Sequence, residues 1–226
     1  MDRGTGVPIV FLHAGSGSGA LWRVQVDFFS RAGYRCIAPD RRPRAAAAEE
    51  LEALVSRLAL EPFHLVGTAA GGIVAIDYAL SFPKRVRSLV IANSIFGIQD
   101  EAYVALQKRL RPAPAFEALP VEVRELGPSY RASNPVGTKR WADASHHATP
   151  QPTRNRISYS LLDTIKAPTL LLTGDADLYM PPSLLREIAL RIRGSTVVVV
   201  PECGHSAYWE QPEIFNRAVL EFIRDR

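Results

Sequence analysis

Two short runs in the last third of the chain, Thr169-Leu170-Leu171-Leu172-Thr173 and Thr196-Val197-Val198-Val199-Val200, have no polar face. A strand that alternates apolar and polar residues can leave one side in water. A strand apolar at every interior position must be covered on both sides, which is the habit of a parallel sheet sandwiched between helices. Apolar runs recur at 8–12, 34–38, 63–66 and 86–92. Helical spacing fills the intervals. It runs over 21–31, stopped at Gly33, over 45–60 with Leu51, Leu54, Val55 and Leu58 on one face, and over 71–80, 183–192 and 212–223. The alternation predicts an α/β fold: a mostly parallel central sheet flanked by helices, with right-handed crossovers.

The rhythm breaks between residues 98 and 162, a stretch rich in Pro, Arg and small polar residues. Helical pieces are expected at 100–110 and 121–126, and a third from Ser133-Asn134-Pro135, where a capping residue precedes a proline suited to the first helical position. The interleaved Tyr103, Leu106, Leu110, Phe116, Tyr130 and Trp141 argue against a disordered linker. The division expected is a core of 1–97 and 163–226 carrying a helical lid of 98–162. With 226 residues, 47% of them hydrophobic, the chain can bury such a core.

No apolar run approaches the ~20 residues of a membrane helix. The start, MDRGTGVPIVF, lacks the features of a secretory signal, so a cytoplasmic location is expected. The net charge of +4 is spread over scattered arginines, with one short cluster at Asp40-Arg41-Arg42-Pro43-Arg44, and no nucleic-acid-reading motif accompanies it. Cys36 and Cys203 make no disulfide framework in a chain of this length. Cys36 reads as core and Cys203 as loop filler close to His205. The sequence leaves the oligomeric state open.

Three places stand at the carboxyl ends of predicted strands, where open α/β sheets bind ligands. The first is Gly67-Thr68-Ala69-Ala70-Gly71, which has the spacing of a G-x-S-x-G strand-to-helix turn with alanine at its centre. The second is Thr173-Gly174-Asp175-Ala176-Asp177, and the third Pro201-Glu202-Cys203-Gly204-His205-Ser206. Either aspartate could be an ordinary turn former and His205 a satisfied core histidine. Together, at successive strand ends in the order nucleophile position, acid, histidine, they point to hydrolytic chemistry. A histidine near neutral pKa can relay a proton, and a carboxylate behind it fixes its tautomer.

These segments, with PIVFLHAGSGSGALW, APDRR and ECGHSAYWEQPEIFNRAVLEFI, resemble the α/β-hydrolase fold superfamily over nearly the whole chain. The resemblance implies Ala69 at the nucleophile position, Asp177 as the acid (Asp175 being the runner-up) and His205 as the base. It also implies an oxyanion hole from the N–H groups of Gly15 and Ala70. Ser16 and Trp141 are expected substrate contacts, and Ser16 and Ser94, possible substitute hydroxyls, lie off the turn. His13 is expected to shape its loop, and His146 and His147 to be exposed lid residues. The partner implied is a small-molecule substrate, with no metal or organic cofactor, no nucleic acid and no membrane.

The chain departs from the resemblance at three points. Ala69 has no hydroxyl, and losing a triad serine removes about six orders of magnitude of rate. Only seven residues precede Pro8, where such proteins carry a strand pair, and the loop after Arg42 is compressed into Pro43-Arg44. Two explanations of Ala69 compete: an alanine variant of a serine enzyme, and a native non-hydrolytic relative. The retained Asp177, His205 and oxyanion loop favour the first, an ester, lactone or C–C hydrolase that is inactive in this form. The alternatives are a ligand-binding relative, and a lyase or cofactor-free oxygenase using the His–Asp pair alone.

Overall fold

The computed structural model describes residues 1–15, 17–40, 47–60, 62–112, 115–144 and 152–226. The chain opens with β1 (Asp2–Arg3) and β2 (Pro8–Leu12), then a 3-10 turn at Gly19–Trp22, α1 (Arg23–Arg31), β3 (Arg35–Ile37) and α2 (Ala47–Arg57). Next come β4 (Phe63–Thr68), α3 (Ala70–Ser81) and β5 (Val86–Ala92). Between β5 and β6 lie α4 (Glu101–Leu110), a 3-10 turn at Phe116–Ala118, α5 (Val121–Glu125), α6 (Pro128–Ser133), α7 (Pro135–Ala144) and α8 (Tyr159–Leu162). The chain then closes with β6 (Thr169–Gly174), α9 (Pro182–Ala189), β7 (Thr196–Val200), α10 (Ala207–Glu210) and α11 (Pro212–Ile223).

The strands form a seven-stranded sheet in the order β1-β3-β2-β4-β5-β6-β7, parallel except for β1. The uniform apolarity of the strands is spent on two separate cores. Val10, Leu12, Leu65, Leu89, Ile91 and Leu171 face a cluster built with α2, α3 and α9. Ile9, Phe11, Val66, Val90, Leu170 and Leu172 face the other, built with α1, α10 and α11. Trp22 centres that second layer, its ring 4.7 Å from Tyr208 and 5.1 Å from Phe11. Because side chains alternate along a strand, neither face could be polar without breaking one core.

Differences from the sequence reading lie mainly at edges and in short helices. The seven residues before Pro8 supply one short strand, β1, which pairs antiparallel with β3 and is tied by an Arg35–Asp2 ion pair. Two residues suffice to cover part of β3 that would otherwise offer unpaired backbone groups. Helix α1 begins at Arg23 because the preceding residues take a tighter turn, whose Gly19 N–H donates to Asp40 Oδ1 at 2.7 Å. Helices α6, α8 and α10 are too short to show apolar periodicity.

The excursion between β5 and β6 leaves and returns side by side. Gln99 N–H donates to Ile157 O, and Tyr159 N–H to Asp100 Oδ2 at 2.7 Å. Asp77, buried on α3, accepts the N–H groups of Arg154 and Asn155 and the Asn155 side-chain amide.

His64 lies in β4, fully buried, its Nδ1 2.7 Å from Ser88 Oγ. Burial, with the Arg87 charge adding to it, pushes its pKa from 6.5 down to about 4. The unfolded chain binds this proton and the folded chain does not. The residue therefore contributes stability above pH 6.5 that is lost as pH falls toward 4. The loss is on the order of 3 kcal/mol. His64→Gln is expected to flatten the urea midpoint between pH 6.5 and 4 relative to the parent. An unchanged slope would assign that acid lability to another group.

Candidate active site

The site is assembled at the carboxyl ends of β4, β5, β6 and β7. At the end of β4 the chain reverses into α3 through Ala69, which holds φ 47° and ψ −118°. A residue with a Cβ in that region is strained, and strain of this kind costs on the order of 1–3 kcal/mol. Two glycines make the reversal fit. A Cβ on Gly67 would strike Gly71 O, and one on Gly71 would strike Leu12 O and His13 O. The start of α3 therefore rides directly against the end of β2. Ala69 N–H donates to Ala92 O and Asn93 O, both at 3.1 Å, and Ser94 Oγ–H donates to Ala69 O at 2.7 Å. Ala69 and Ala70 remain partly exposed.

Asp177 and His205 meet as a buried pair. His205 Nδ1 lies 2.8 Å from both carboxylate oxygens, so it carries the proton and leaves Nε2 as the basic nitrogen. Four further donors converge on Asp177: Asn93 Nδ2 (3.1 Å), Thr173 Oγ1 (3.0 Å), and the N–H groups of Tyr179 and Met180 (2.9 Å each). Burial would raise the Asp177 pKa, but the His205 charge and these donors outweigh it and hold the carboxyl below its ordinary value. For His205 burial pulls downward. The Asp177 charge and hydrogen bond, assisted by Glu125 and Glu210, reverse this and leave the imidazole above 6.5.

Asn93, one residue past β5 and itself at φ 47°, joins the two halves. Its carbonyl receives Ala69 N–H, its amide donates to Asp177 and to Gly204 O, and its Oδ1 accepts Ala207 N–H. Asp175 does not touch the imidazole. It accepts the N–H groups of Glu202 and Cys203 at 3.1 Å and so fixes the start of the histidine loop. Burial pushes the Cys203 thiol well up, as fits a packed side chain rather than a nucleophile.

The wall beside His205 comes from α5. His205 N–H donates to Glu125 O at 2.8 Å, the Tyr179 ring lies 4.6 Å from the imidazole, and Arg124 donates to Tyr179 Oη at 3.1 Å. Burial pushes the Glu125 carboxyl up despite the nearby His205 and Arg124 charges. Gly15 lies in the turn after His13, whose Nδ1 sits 2.7 Å from Ala14 O. Trp141 is buried on α7, which packs on α5 and α6. Ser16, Arg41, Arg42, His146 and His147 lie outside the described residues. A cleft of about 390 Å³ between α2, α3 and the ends of β2 and β3 is lined by Leu12, Pro39, Asp40, Leu51, Leu54 and Val74 among others. Neither Ala69, Asp177 nor His205 lines it. Among the described residues no cluster of three His, Cys, Asp or Glu side chains is arranged to hold a metal, and no helix is long and apolar enough to cross a membrane.

Sequence reasoning missed Asn93, Thr173, Tyr179, Glu125 and Glu210. Asn93 and Thr173 had a usable signal, since each is a polar residue following an apolar run (Leu89–Ala92 and Leu170–Leu172) next to a candidate position. Glu125, Tyr179 and Glu210 had none, because their places depend on how separate segments pack.

A parallel sheet with a strained strand-to-helix turn in its middle, and a buried carboxylate–histidine pair on the next strand ends, defines the α/β-hydrolase class. The chain belongs to the alpha/beta hydrolase family, whose match covers residues 9–218. It is 30% identical over 258 residues to the 2-hydroxy-6-oxononadienedioate/2-hydroxy-6-oxononatrienedioate hydrolase of Burkholderia vietnamiensis, covering 99% of this chain and 89% of that protein. Its fold matches a thermophilic esterase from Thermogutta terrifontis, solved with malate bound, at a TM-score of 0.82 and 25% identity, covering 100% of this chain and 92% of that one. It also matches a meta-cleavage product hydrolase from Pseudomonas fluorescens IP01, solved as a serine-to-alanine mutant with acetates, at 0.75 and 25%, covering 100% and 93%.

The pair generates a direct test in the chain as it stands. Asp177→Asn removes the charge that raises His205 while leaving the burial that lowers it. The His205 pKa, followed by NMR titration of the ring protons, is expected to fall from above 6.5 to below it. A value that stays above would mean that Asp177 is not what holds the proton there.

Proposed function

We propose that this chain carries the substrate-binding and acid–base half of a carbonyl hydrolase acting on an ester, a lactone or an activated C–C bond, with the nucleophile's place taken by Ala69. The observation that carries the reading is the Asn93 bridge, which links the backbone of the strained Ala69 turn to the Asp177–His205 pair by hydrogen bonds. In this reading the N–H groups of Gly15 and Ala70 receive a developing oxyanion. Ala70 opens α3, and first-turn N–H groups have no partner inside their own helix. The helices of 98–162 act as a lid, with Trp141 and Ser16 as substrate contacts, and the substrate is a small molecule.

The chemistry follows from what is present and what is missing. A hydroxyl at position 69 would be deprotonated by His205 Nε2, attack the carbonyl carbon and form an acyl-enzyme, which water then cleaves. A methyl group can do neither. The chain therefore binds the carbonyl compound without turning it over by this route. The hydrolase relatives support the class of substrate, since their names place them on ketonic acid derivatives and esters. A second reading rests on the completeness of the pair: Asp177–His205 is fully built, and an imidazole backed by a carboxylate can move protons without an acyl intermediate.

Ala69→Ser is expected to create hydrolysis of short aryl esters or lactones at several thousandfold or more over the parent, the triad serine being worth about six orders of magnitude. Its kcat/KM should fall as pH drops through an apparent value above 6.5, because the base must be unprotonated and its pKa is raised. Silence of the serine form across such substrates would remove the proposal. An activity already present in the parent and abolished by His205→Ala would favour the proton-transfer reading.

A further inference from the structure

Glu210 is buried at the end of α10, five residues beyond His205, and its charge, which helps to raise the imidazole pKa, is only part of what it does there. Its two carboxylate oxygens are divided between two segments. Oε1 accepts the N–H groups of Gly204 and Ser206, on either side of the histidine, at 3.0 Å each, with Cys203 Sγ at 3.7 Å. Oε2 accepts Gly127 N–H, at the α5–α6 junction, at 2.6 Å, and Gly204 N–H again at 3.0 Å. The two segments are pressed together at this point, because a Cβ on Gly204 would strike Gly127 N and Leu126 C. The same α5 strip supplies Glu125 O to His205 N–H.

A carboxylate buried among backbone N–H groups is an acceptor only, with room for about four hydrogen bonds. Every segment it serves depends on the same charge, and charge-assisted bonds of this kind are about twice as strong as neutral ones. An amide in its place has one acceptor oxygen and presents an N–H₂ to donors, which they cannot use. A carboxylate at this place can therefore serve both segments, and an amide only one.

We propose that Glu210 is a positioning residue whose two oxygens lock the histidine loop to the α5–α6 junction, so that the imidazole and the wall beside it are placed as one unit. The role extends the reading of His205 as the base. It makes the helical excursion a contributor to the alignment of the imidazole as well as a cover over substrate. Substrate contacts made by α5 or α6 would then reach the base through this side chain as well as through the Glu125 O–His205 N–H bond.

The test uses Glu210→Gln, which keeps size and shape, beside Glu210→Ala. Backbone amide exchange is followed at Gly127, Gly204 and Ser206 and normalised to core amides of β4 and β5. The amide oxygen is expected to stay with the histidine loop, where it keeps two donors and the Cys203 thiol. Gly127 should then exchange about tenfold faster in the Gln variant while Ser206 is unchanged, and both should exchange faster in the Ala variant. In the Ala69→Ser background the Gln change should raise KM about tenfold and shift the acid limb of kcat/KM to lower pH, because one of the charges that raise His205 is gone, and the Ala change should lower kcat as well. Equal protection of all three amides in both variants would overturn the proposal, as would loosening of the three together in the Gln variant. The exchange experiment needs no turnover, so a catalytically silent serine form would count against the proposed function and leave this result standing.

Discussion

A buried charge governs the architecture of the site. Asp177 is sealed from water, and an ionised carboxylate in that position is tolerable only when its lone pairs are filled. Five groups fill them, drawn from the end of β5, from β6, from the turn that follows β6, and from the loop after β7. Remove that saturation and the carboxyl takes a proton, and the imidazole loses its orienting partner. The polar residues at these strand ends are legible as a consequence of one electrostatic demand.

The same network explains how the strained turn at Ala69 is held. Its strained φ is held by backbone bonds to Ala92 and Asn93, by the Ser94 hydroxyl, and by the tight passage of Gly67 against the start of α3 and of Gly71 against the end of β2. None of these contacts involves the side chain of residue 69. The geometry of the turn is thus independent of that side chain. The side chain of residue 69 can therefore change while the backbone framework of the turn is kept, because the restraints run along its backbone.

Legibility differed by range of interaction. The turn at Ala69 could be read locally, because glycine spacing around a strand-to-helix reversal is a short-range steric requirement. The choice between Asp175 and Asp177 could be made only by resemblance, since the two are alike in spacing from the strand. In the structure one faces the imidazole and the other holds the histidine loop by its backbone. Asn93 was partly legible as a polar end to an apolar strand. Glu210 was invisible, because it sits on a four-residue helix with no periodicity and its function depends on Gly127, which lies 83 residues away along the chain.

By itself the sequence determined the parallel sheet, its helical layers and the strand ends at which chemistry could sit. Apolar runs without a polar face admit few other arrangements, and the motif order is a property of the chain. Only the tertiary structure decided which polar groups converge on Asp177, how Asn93 joins the turn to the histidine, and which segment forms the wall beside it. Those outcomes depend on the satisfaction of buried charge by groups far apart in sequence. Such pairings are settled by packing, and no local pattern of residues encodes them.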